Sequence, residues 1–159
     1  MSRSLVKKNL ILLGMMGVGK TTIGKILAKK LNFEFIDTDE QIEKENLMSI
    51  SEIFEKKGEK FFREEEKNII SKLLKKNCCV FALGGGAFMN KILRKNILKD
   101  CISVWLELDL NILIGRTSGK KSRPLLLNED VSKKLKEIYD ERKNIYALAN
   151  HKINCNKLN

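Results

Sequence analysis

Residues 14–21 read GMMGVGKT, and this stretch decides the fold. It fits the pattern G-x-x-x-x-G-K-[ST] of a phosphate-binding loop, which requires a strand before it and a helix after it. Both are predicted here, because residues 9–13 form a short apolar run and residues 21–31 carry apolar side chains at helical spacing. A glycine-rich turn that matches the pattern by chance would leave this flanking context unexplained.

Such a loop holds the phosphates of a nucleotide. Its backbone N–H groups and the positive end of the following helix face phosphate oxygens. Lys20 is expected to reach the β- and γ-phosphates, and the Thr21 hydroxyl is expected to ligate Mg²⁺. The residues predicted to contact the nucleotide are Gly14, Gly17, Val18, Gly19, Lys20, Thr21 and Thr22.

Strand and helix patterns alternate along the rest of the chain, which predicts an α/β fold with a parallel sheet covered by helices on both faces. Further strands are expected at 33–36, 78–83, 102–107 and 152–155. Helices are expected from a capping box at 49–52, interrupted at Gly58 and resumed over 59–76, and at 91–98, 110–114 and 131–146. Ligands bind beyond the carboxyl ends of such strands, where Gly14, Asp37 and Gly84 stand.

Composition limits the other functions. The 159 residues suit one domain, and 43% hydrophobic residues with a net charge of +11 suit a globular chain. No apolar run approaches the ~20 residues of a membrane span, and the N-terminus lacks the features of a signal peptide.

The four cysteines form no CxxC pair and there is one histidine, which argues against a His/Cys metal site. Lysines interleaved with glutamates indicate solvated helix faces rather than a nucleic-acid groove. We therefore expect a cytoplasmic monomer that binds small anions, without nucleic acid or membrane.

Two carboxylates are candidates for the magnesium site and the acceptor site. The strand at 80–83 ends in Gly84, so it lacks the aspartate that many phosphate-loop proteins place there. Asp37 follows the strand at 33–36 and is the nearest substitute, with Asp39 two residues further on. If this stretch is extended, both point to the same side, one toward the metal and one toward a substrate hydroxyl. Alternatively, either caps the following helix.

The glycines at 84–86 and two arginines predict an acidic acceptor. Three consecutive glycines after a buried strand suggest close approach of a ligand, with a tight turn as the alternative. Arg63 follows two phenylalanines, and Arg142 lies on the apolar stripe of its helix, so both suit bidentate binding of a carboxylate. The alternatives are ion pairs, of Arg63 with one of the glutamates at 64–66 and of Arg142 with Asp140 or a nearby glutamate.

The predicted lid is the segment 117–128. Arg116 directly precedes this segment, and Arg123 lies within it. A loop of this kind can close over the nucleotide and bring an arginine against the transferring phosphoryl group. An ordinary surface loop is the alternative.

Taken in order, these motifs resemble the shikimate kinase family over roughly residues 9–155. The resemblance rests on GMMGVGKT at 14–21, DTD at 37–39, FFREEE at 61–66, GGG at 84–86, RPLL at 123–126, and the segment 142–146. It implies one domain, residues 1–159, with the three-layer α/β/α architecture of nucleoside-monophosphate kinases, a five-stranded parallel sheet and a lid. It also implies transfer of the ATP γ-phosphoryl group to the 3-hydroxyl of shikimate, on the way to chorismate and the aromatic amino acids.

The resemblance also implies residue roles. Asp37 assists the metal that Thr21 binds, and Asp39 holds the shikimate hydroxyls and is the candidate base. The remaining implied roles are carboxylate binding by Arg63 and Arg142, ring contact by Gly85 and Gly86, catalysis by Lys20 and by Arg123 at the γ-phosphate, adenine contact by Arg116, and support of the acceptor site by Glu66. Because this chain lacks the proline that often follows the second arginine, its last helix is expected to run on past Arg142.

Two other functions remain open from the residues. One is a kinase of another small acceptor, such as gluconate or a nucleoside monophosphate, and the other is a nucleotide-dependent binding module without turnover. The paired arginines with DTD and GGG favour an acidic polyol acceptor, and the intact Lys20, Asp37, Asp39 and Arg123 favour turnover.

Overall fold

The computed structural model describes residues 8–117 and 130–157, which form a five-stranded parallel sheet between helices. The strands are β1 (Leu10–Leu13), β2 (Glu34–Asp37), β3 (Cys79–Ala82), β4 (Ile102–Glu107) and β5 (His151–Asn154). The helices are α1 (Lys20–Leu31), α2 (Thr38–Asn46), α3 (Ile50–Leu73), α4 (Lys91–Asp100), α5 (Leu110–Thr117) and α6 (Val131–Tyr146). The sheet order is β2-β3-β1-β4-β5, and every neighbouring pair is parallel, as the alternating pattern predicts.

The helix starts follow from local chemistry. Ser49 and Glu52 form the predicted capping box at the start of α3, each side chain bonding the other's backbone N–H. Gly58 interrupts α3 with φ 84° and ψ 168°, a conformation essentially reserved for glycine. The helix α6 spans the predicted residues and runs on past Arg142.

The helix expected over 59–76 ends at Leu73, and two further expectations about element boundaries are wrong. The stretch 37–39 is not extended: Asp37 ends β2 and caps α2, so Asp39 lies in the first turn of a helix. The reason is that the Asp37 carboxylate accepts from the N–H groups of Asp39 and Glu40 and so begins the helix at once. Thr117, predicted to begin an irregular segment, is the last residue of α5, and its hydroxyl donates to the carbonyl of Leu113.

The core holds the site edge of the sheet rigid. The central strands β1 and β3 are apolar and almost wholly buried, and they pack against both helical layers. A second, smaller cluster joins α2 to α3 through Ile42, Ile53, Phe62 and Ile69. Among the described helices, none is long and apolar enough to cross a bilayer.

Candidate active site

A cleft of about 650 Å³ opens at the carboxyl ends of β1, β2 and β3, where the fold predicts a ligand site. The phosphate-loop side contributes Gly17, Gly19, Lys20, Thr21 and Thr22, with Arg116 beside it. The opposite side contributes Asp39, Arg63, Glu66, the glycines at 84–86 and Arg142. The structure therefore brings most of the predicted site residues together, although they come from five helices and two loops. Gly14 and Val18 do not line the cleft: Val18 is buried, and a Cβ on Gly14 would meet the carbonyl oxygen of Leu106 at 2.6 Å.

The phosphate loop has the backbone that its glycines permit. Gly14, Gly17 and Gly19 all have positive φ. The Lys20 ammonium donates to the carbonyls of Gly14 and Met15, at 2.8 and 2.9 Å. These bonds fold the lysine over its own loop, with its charge at the mouth where phosphate oxygens would lie.

Asp37 performs two functions at once. One carboxylate oxygen caps α2, and the other accepts from the Thr21 hydroxyl at 2.8 Å. The capping alternative is therefore correct for Asp37, and it does not exclude a metal role. Hydroxyl and carboxylate oxygens are donors that Mg²⁺ prefers, and this ion usually takes few protein ligands besides water and phosphate. Within residues 8–117 and 130–157 no cluster of three or more Asp, Glu, His or Cys residues could hold a metal by itself.

Two carboxylates, those of Asp39 and Glu66, converge on Gly84. A Cβ atom built on Gly84 would lie 2.6 Å from Asp39 Oδ1 and 3.1 Å from Glu66 Oε1. Burial, and after it the negative charge of Asp37, raise the pKa of Asp39 to about 6, while the positive charge of Lys20 opposes the shift. Burial likewise raises the pKa of Glu66 to about 7, while Arg63 opposes the shift. The pKa values of both carboxyl groups, in the cleft beside the phosphate loop, are thus close to neutral pH.

Arg63 is held from two sides. Its guanidinium donates to Glu66 at 2.9 Å and to Glu59 at 3.4 Å. The predicted alternative, an ion pair within 64–66, therefore forms with Glu66, yet Arg63 also lines the cleft against Gly86. Glu66 therefore orients the Arg63 guanidinium, which still borders the cleft.

Arg142 is buried, with 7% of its surface exposed. Its Nη1 atom has no hydrogen-bond partner among the described residues and lies 3.1 Å from the point where a Cβ on Gly85 would stand. The alternative pairing with Asp140 does not form, because Asp140 accepts from Lys136 and Lys143 on the outer face of α6. A buried cationic donor without an acceptor carries a desolvation cost that an anionic ligand would offset.

The nucleotide side is described only in part. Arg116 donates to the carbonyl of Gly17 at 3.2 Å, so it lies against the phosphate loop. Arg123 and the predicted lid from residue 118 onward lie outside the described residues.

Sequence reasoning missed several residues that shape the site. Thr38 accepts from the N–H of Gly84 at 2.9 Å and so ties the start of α2 to the glycine loop. Tyr146 donates its hydroxyl to the carbonyl of Gly85. Phe54 and Phe62 stack at 4.8 Å between ring centroids and form an apolar wall of the cleft. For Tyr146 a signal was available, because it lies four residues after Arg142 on the same helical stripe.

Comparison with known proteins gives one consistent family. A protein-family model described as Shikimate kinase matches residues 16–159. The shikimate kinase of Bartonella henselae is 43% identical over 156 residues, which cover 98% of this chain and 74% of that protein.

Solved structures give the same result. The shikimate kinase from Acinetobacter baumannii in complex with shikimate superposes with a TM-score of 0.90 at 36% identity, covering 92% of this chain and 83% of the other. A gluconokinase from Sinorhizobium meliloti superposes with a TM-score of 0.58 at 14% identity, over 94% of this chain and 83% of its own, and so shares the fold alone.

Proposed function

The chain belongs to the shikimate kinase family of ATP-dependent kinases, and from this premise we propose that its cleft transfers the γ-phosphoryl group of ATP to the 3-hydroxyl of shikimate. The products are shikimate 3-phosphate and ADP. The observation that carries the proposal is Arg142, a buried guanidinium whose Nη1 atom faces the glycine loop and has no hydrogen-bond partner within residues 8–117 and 130–157. A carboxylate bound there would supply the missing acceptor.

We propose that Arg142 and Arg63 together hold the carboxylate of the acceptor. Both guanidinium groups line the same cleft, Arg142 against Gly85 and Arg63 against Gly86. Because Gly85 and Gly86 have no side chains, a six-membered ring can lie against their backbone. Glu66 keeps Arg63 in place and lowers the entropy lost when the carboxylate binds.

Asp39 is the proposed residue for the reacting hydroxyl. It is near enough to Lys20 and Arg63 for both charges to lower its pKa, and its carboxylate lies against Gly84. A pKa of about 6 leaves Asp39 ionised at neutral pH yet able to accept a proton, which is the range that suits a general base. It would orient the hydroxyl toward the phosphoryl group and take its proton as the new oxygen–phosphorus bond forms.

The donor side binds ATP through the phosphate loop, with Lys20 at the β- and γ-phosphates. Thr21 and Asp37 are the residues that would hold Mg²⁺. When bound, the ion would neutralise charge on the phosphate oxygens. Arg116 is the proposed adenine neighbour, and Arg123 is the predicted lid arginine. In this reaction the protein acts mainly by positioning the two substrates and stabilising the developing charge.

The remaining sequence expectations stay predictions: one domain over residues 1–159, a monomer, the cytoplasm, and no nucleic-acid partner. Support for the last of these comes from the lysines that pair with neighbouring glutamates and aspartates on helix surfaces, a pattern of solvated faces rather than of a nucleic-acid groove.

A coupled assay of ADP release with shikimate, gluconate and CMP tests the proposal. We expect turnover with shikimate and background rates with the other two acceptors. Faster turnover with gluconate or CMP would contradict the proposed acceptor.

The variant Arg142→Lys tests the carboxylate site, because it keeps the charge and removes the planar fork. The KM for shikimate should rise about 10- to 100-fold, with the KM for ATP changed less than about threefold. Lys136→Ala, which removes an exposed cation of the same helix, is the matched control and should leave both constants unchanged. Equal losses for ATP and shikimate would refute the assignment of Arg142.

A further inference from the structure

Tyr146 is the largest fully buried side chain of the described residues, and the proposed reaction does not use it. Its ring packs against Trp105 of β4, with 5.9 Å between ring centroids. The phenol oxygen is therefore fixed relative to the centre of the sheet rather than free to follow the end of α6.

The hydroxyl of Tyr146 reaches the glycine loop. It donates to the carbonyl oxygen of Gly85, a contact between residues 61 positions apart in the chain. Burial raises the pKa of Tyr146, so the phenol keeps its proton and remains a donor at neutral pH.

Two side chains of one helix consequently lie near Gly85. Arg142 lies one turn before Tyr146 on α6, and its Nη1 is 3.1 Å from the position of a Cβ on Gly85. The same position lies 3.7 Å from the carbonyl oxygen of Gly14 in the phosphate loop, the oxygen that accepts from Lys20. One residue of the glycine loop thus separates the arginine from the phosphate loop.

We propose that Tyr146 is a positioning residue for phosphoryl transfer: its hydroxyl fixes Gly85, and through Gly85 it sets the spacing between Arg142 and the phosphate loop. This inference rests on the proposed function, because that spacing matters when the acceptor is bound at Arg142 and the donor at the loop. Neither Tyr146 nor its hydroxyl touches a reacting atom.

A simpler role, filling the core, makes a different prediction. A packing role depends on the ring, whereas a positioning role depends on the hydroxyl. The two are separable, because Tyr146→Phe removes only the hydroxyl and Trp105→Phe shrinks the ring contact while leaving the hydroxyl in place.

The first measurement is steady-state kinetics with thermal unfolding. For Tyr146→Phe we expect the KM for shikimate to rise about three- to tenfold with a lower kcat, while the KM for ATP stays within about twofold of the wild-type value. Trp105→Phe should lower the melting temperature and leave the KM for shikimate nearly unchanged. Tyr139→Phe, on the same helix but facing Lys143, is the matched control and should change neither.

The second measurement needs no substrate. In the free protein, amide hydrogen exchange of the peptide covering 84–89 should be about three- to tenfold faster in Tyr146→Phe, because the Gly85 carbonyl is released. Exchange in α1 should not change.

Unchanged exchange at 84–89 in Tyr146→Phe would overturn the inference whatever the acceptor is. Wild-type turnover of shikimate with an unaltered KM in Tyr146→Phe would overturn it as well. Absence of wild-type turnover of shikimate would instead refute the proposed function, and exchange would still decide whether Tyr146 holds the loop.

Discussion

Gly84 lies beside the two carboxylates of the cleft, those of Asp39 and Glu66. Because Gly84 has no side chain, both carboxylates can lie close to its backbone. Both Asp39 Oδ1 and Glu66 Oε1 lie within 3.1 Å of the point where a Cβ would stand. Of the three glycines at 84–86, Gly84 therefore lies against the two carboxylates, whereas Gly85 and Gly86 face the arginines.

The variant Gly84→Ala should abolish most activity while leaving a folded protein. Its methyl group would displace the Asp39 carboxylate, and a misplacement of about 1 Å in a reacting group can cost about 100-fold in kcat. Steady-state kinetics and circular dichroism would check both points. Gly115→Ala is the control, because a Cβ on Gly115 meets nothing within 4 Å. Activity of Gly84→Ala near the wild-type level would contradict the placement of Asp39 in the reaction.

Asp39 also predicts a pH dependence. Its pKa is raised to about 6, so the base is lost as pH falls through this value, and kcat/KM for shikimate should decline below about pH 6. The rate profile between about pH 4.5 and 8.5 measures this, since kcat/KM reports groups of the free enzyme.

Two variants assign the acid limb of that profile. Asp39→Asn should leave a slow residual rate without the limb, whereas Glu66→Gln should keep it, because Glu66 acts through Arg63. An acid limb that persists in Asp39→Asn and vanishes in Glu66→Gln would assign the titration to Glu66 instead.

At the scale of helices and strands, Thr38 joins two elements of the site. Its buried hydroxyl donates to the carbonyl of Ala82 in β3 at 3.3 Å and accepts from the N–H of Gly84 at 2.9 Å. The first turn of α2, which carries Asp39, is thereby fixed to the glycine loop.

The variant Thr38→Val tests this link, because it keeps the side-chain shape and removes both hydrogen bonds. We expect the free energy of unfolding to fall by about 1–3 kcal/mol, since the Gly84 N–H stays buried without an acceptor, and kcat to fall with it. Denaturant titration and kinetics measure the two effects. Thr38→Ser restores the hydroxyl and should recover kcat; loss of kcat in both variants alike would show that the hydroxyl is not the link.

The elements themselves were largely predictable from sequence. The span 131–146 matches α6, since its apolar stripe and the Asp130 cap agree on where the helix begins. The inward direction of Arg142 followed from the same stripe. The pattern at 37–39 was ambiguous, because aspartates two residues apart fit an extended strand as well as a helix start, and the Asp37 cap decided between them.

The contacts that position the site were not predictable from sequence. The bonds from Thr38 to Gly84 and from Tyr146 to Gly85 join residues 46 and 61 positions apart, and no local pattern carries such pairings. That the Arg142 Nη1 atom has no partner among the described residues was likewise not predictable, because the sequence does not show that Asp140 pairs with Lys136 rather than with Arg142. The side chains of the site were predictable from the sequence, but the distances between them depend on tertiary packing.

At the scale of the whole molecule, charge shapes how substrates arrive. The chain carries a net charge of +11, and both proposed substrates are anions. Long-range attraction raises the encounter rate of charged ligands and is screened by salt over roughly 10 Å at 0.1 M.

We therefore expect kcat/KM for both substrates to fall as KCl is raised from about 20 mM to about 300 mM, with kcat changed little. Initial rates at constant pH and Mg²⁺ measure the effect, with tetramethylammonium chloride as a second salt to separate screening from specific ion binding. A fall in kcat with unchanged kcat/KM would contradict electrostatic steering.

The central claim is that one cleft holds a carboxylate on two arginines while its alcohol faces a phosphoryl group on the phosphate loop. The most direct measurement is a crystal structure of the protein with shikimate and a non-hydrolysable ATP analogue. The predicted result is the shikimate carboxylate within hydrogen-bond distance of Arg63 and Arg142, with the 3-hydroxyl between Asp39 and the terminal phosphate. A carboxylate bound away from both arginines, or a 3-hydroxyl turned from the phosphate, would contradict the account.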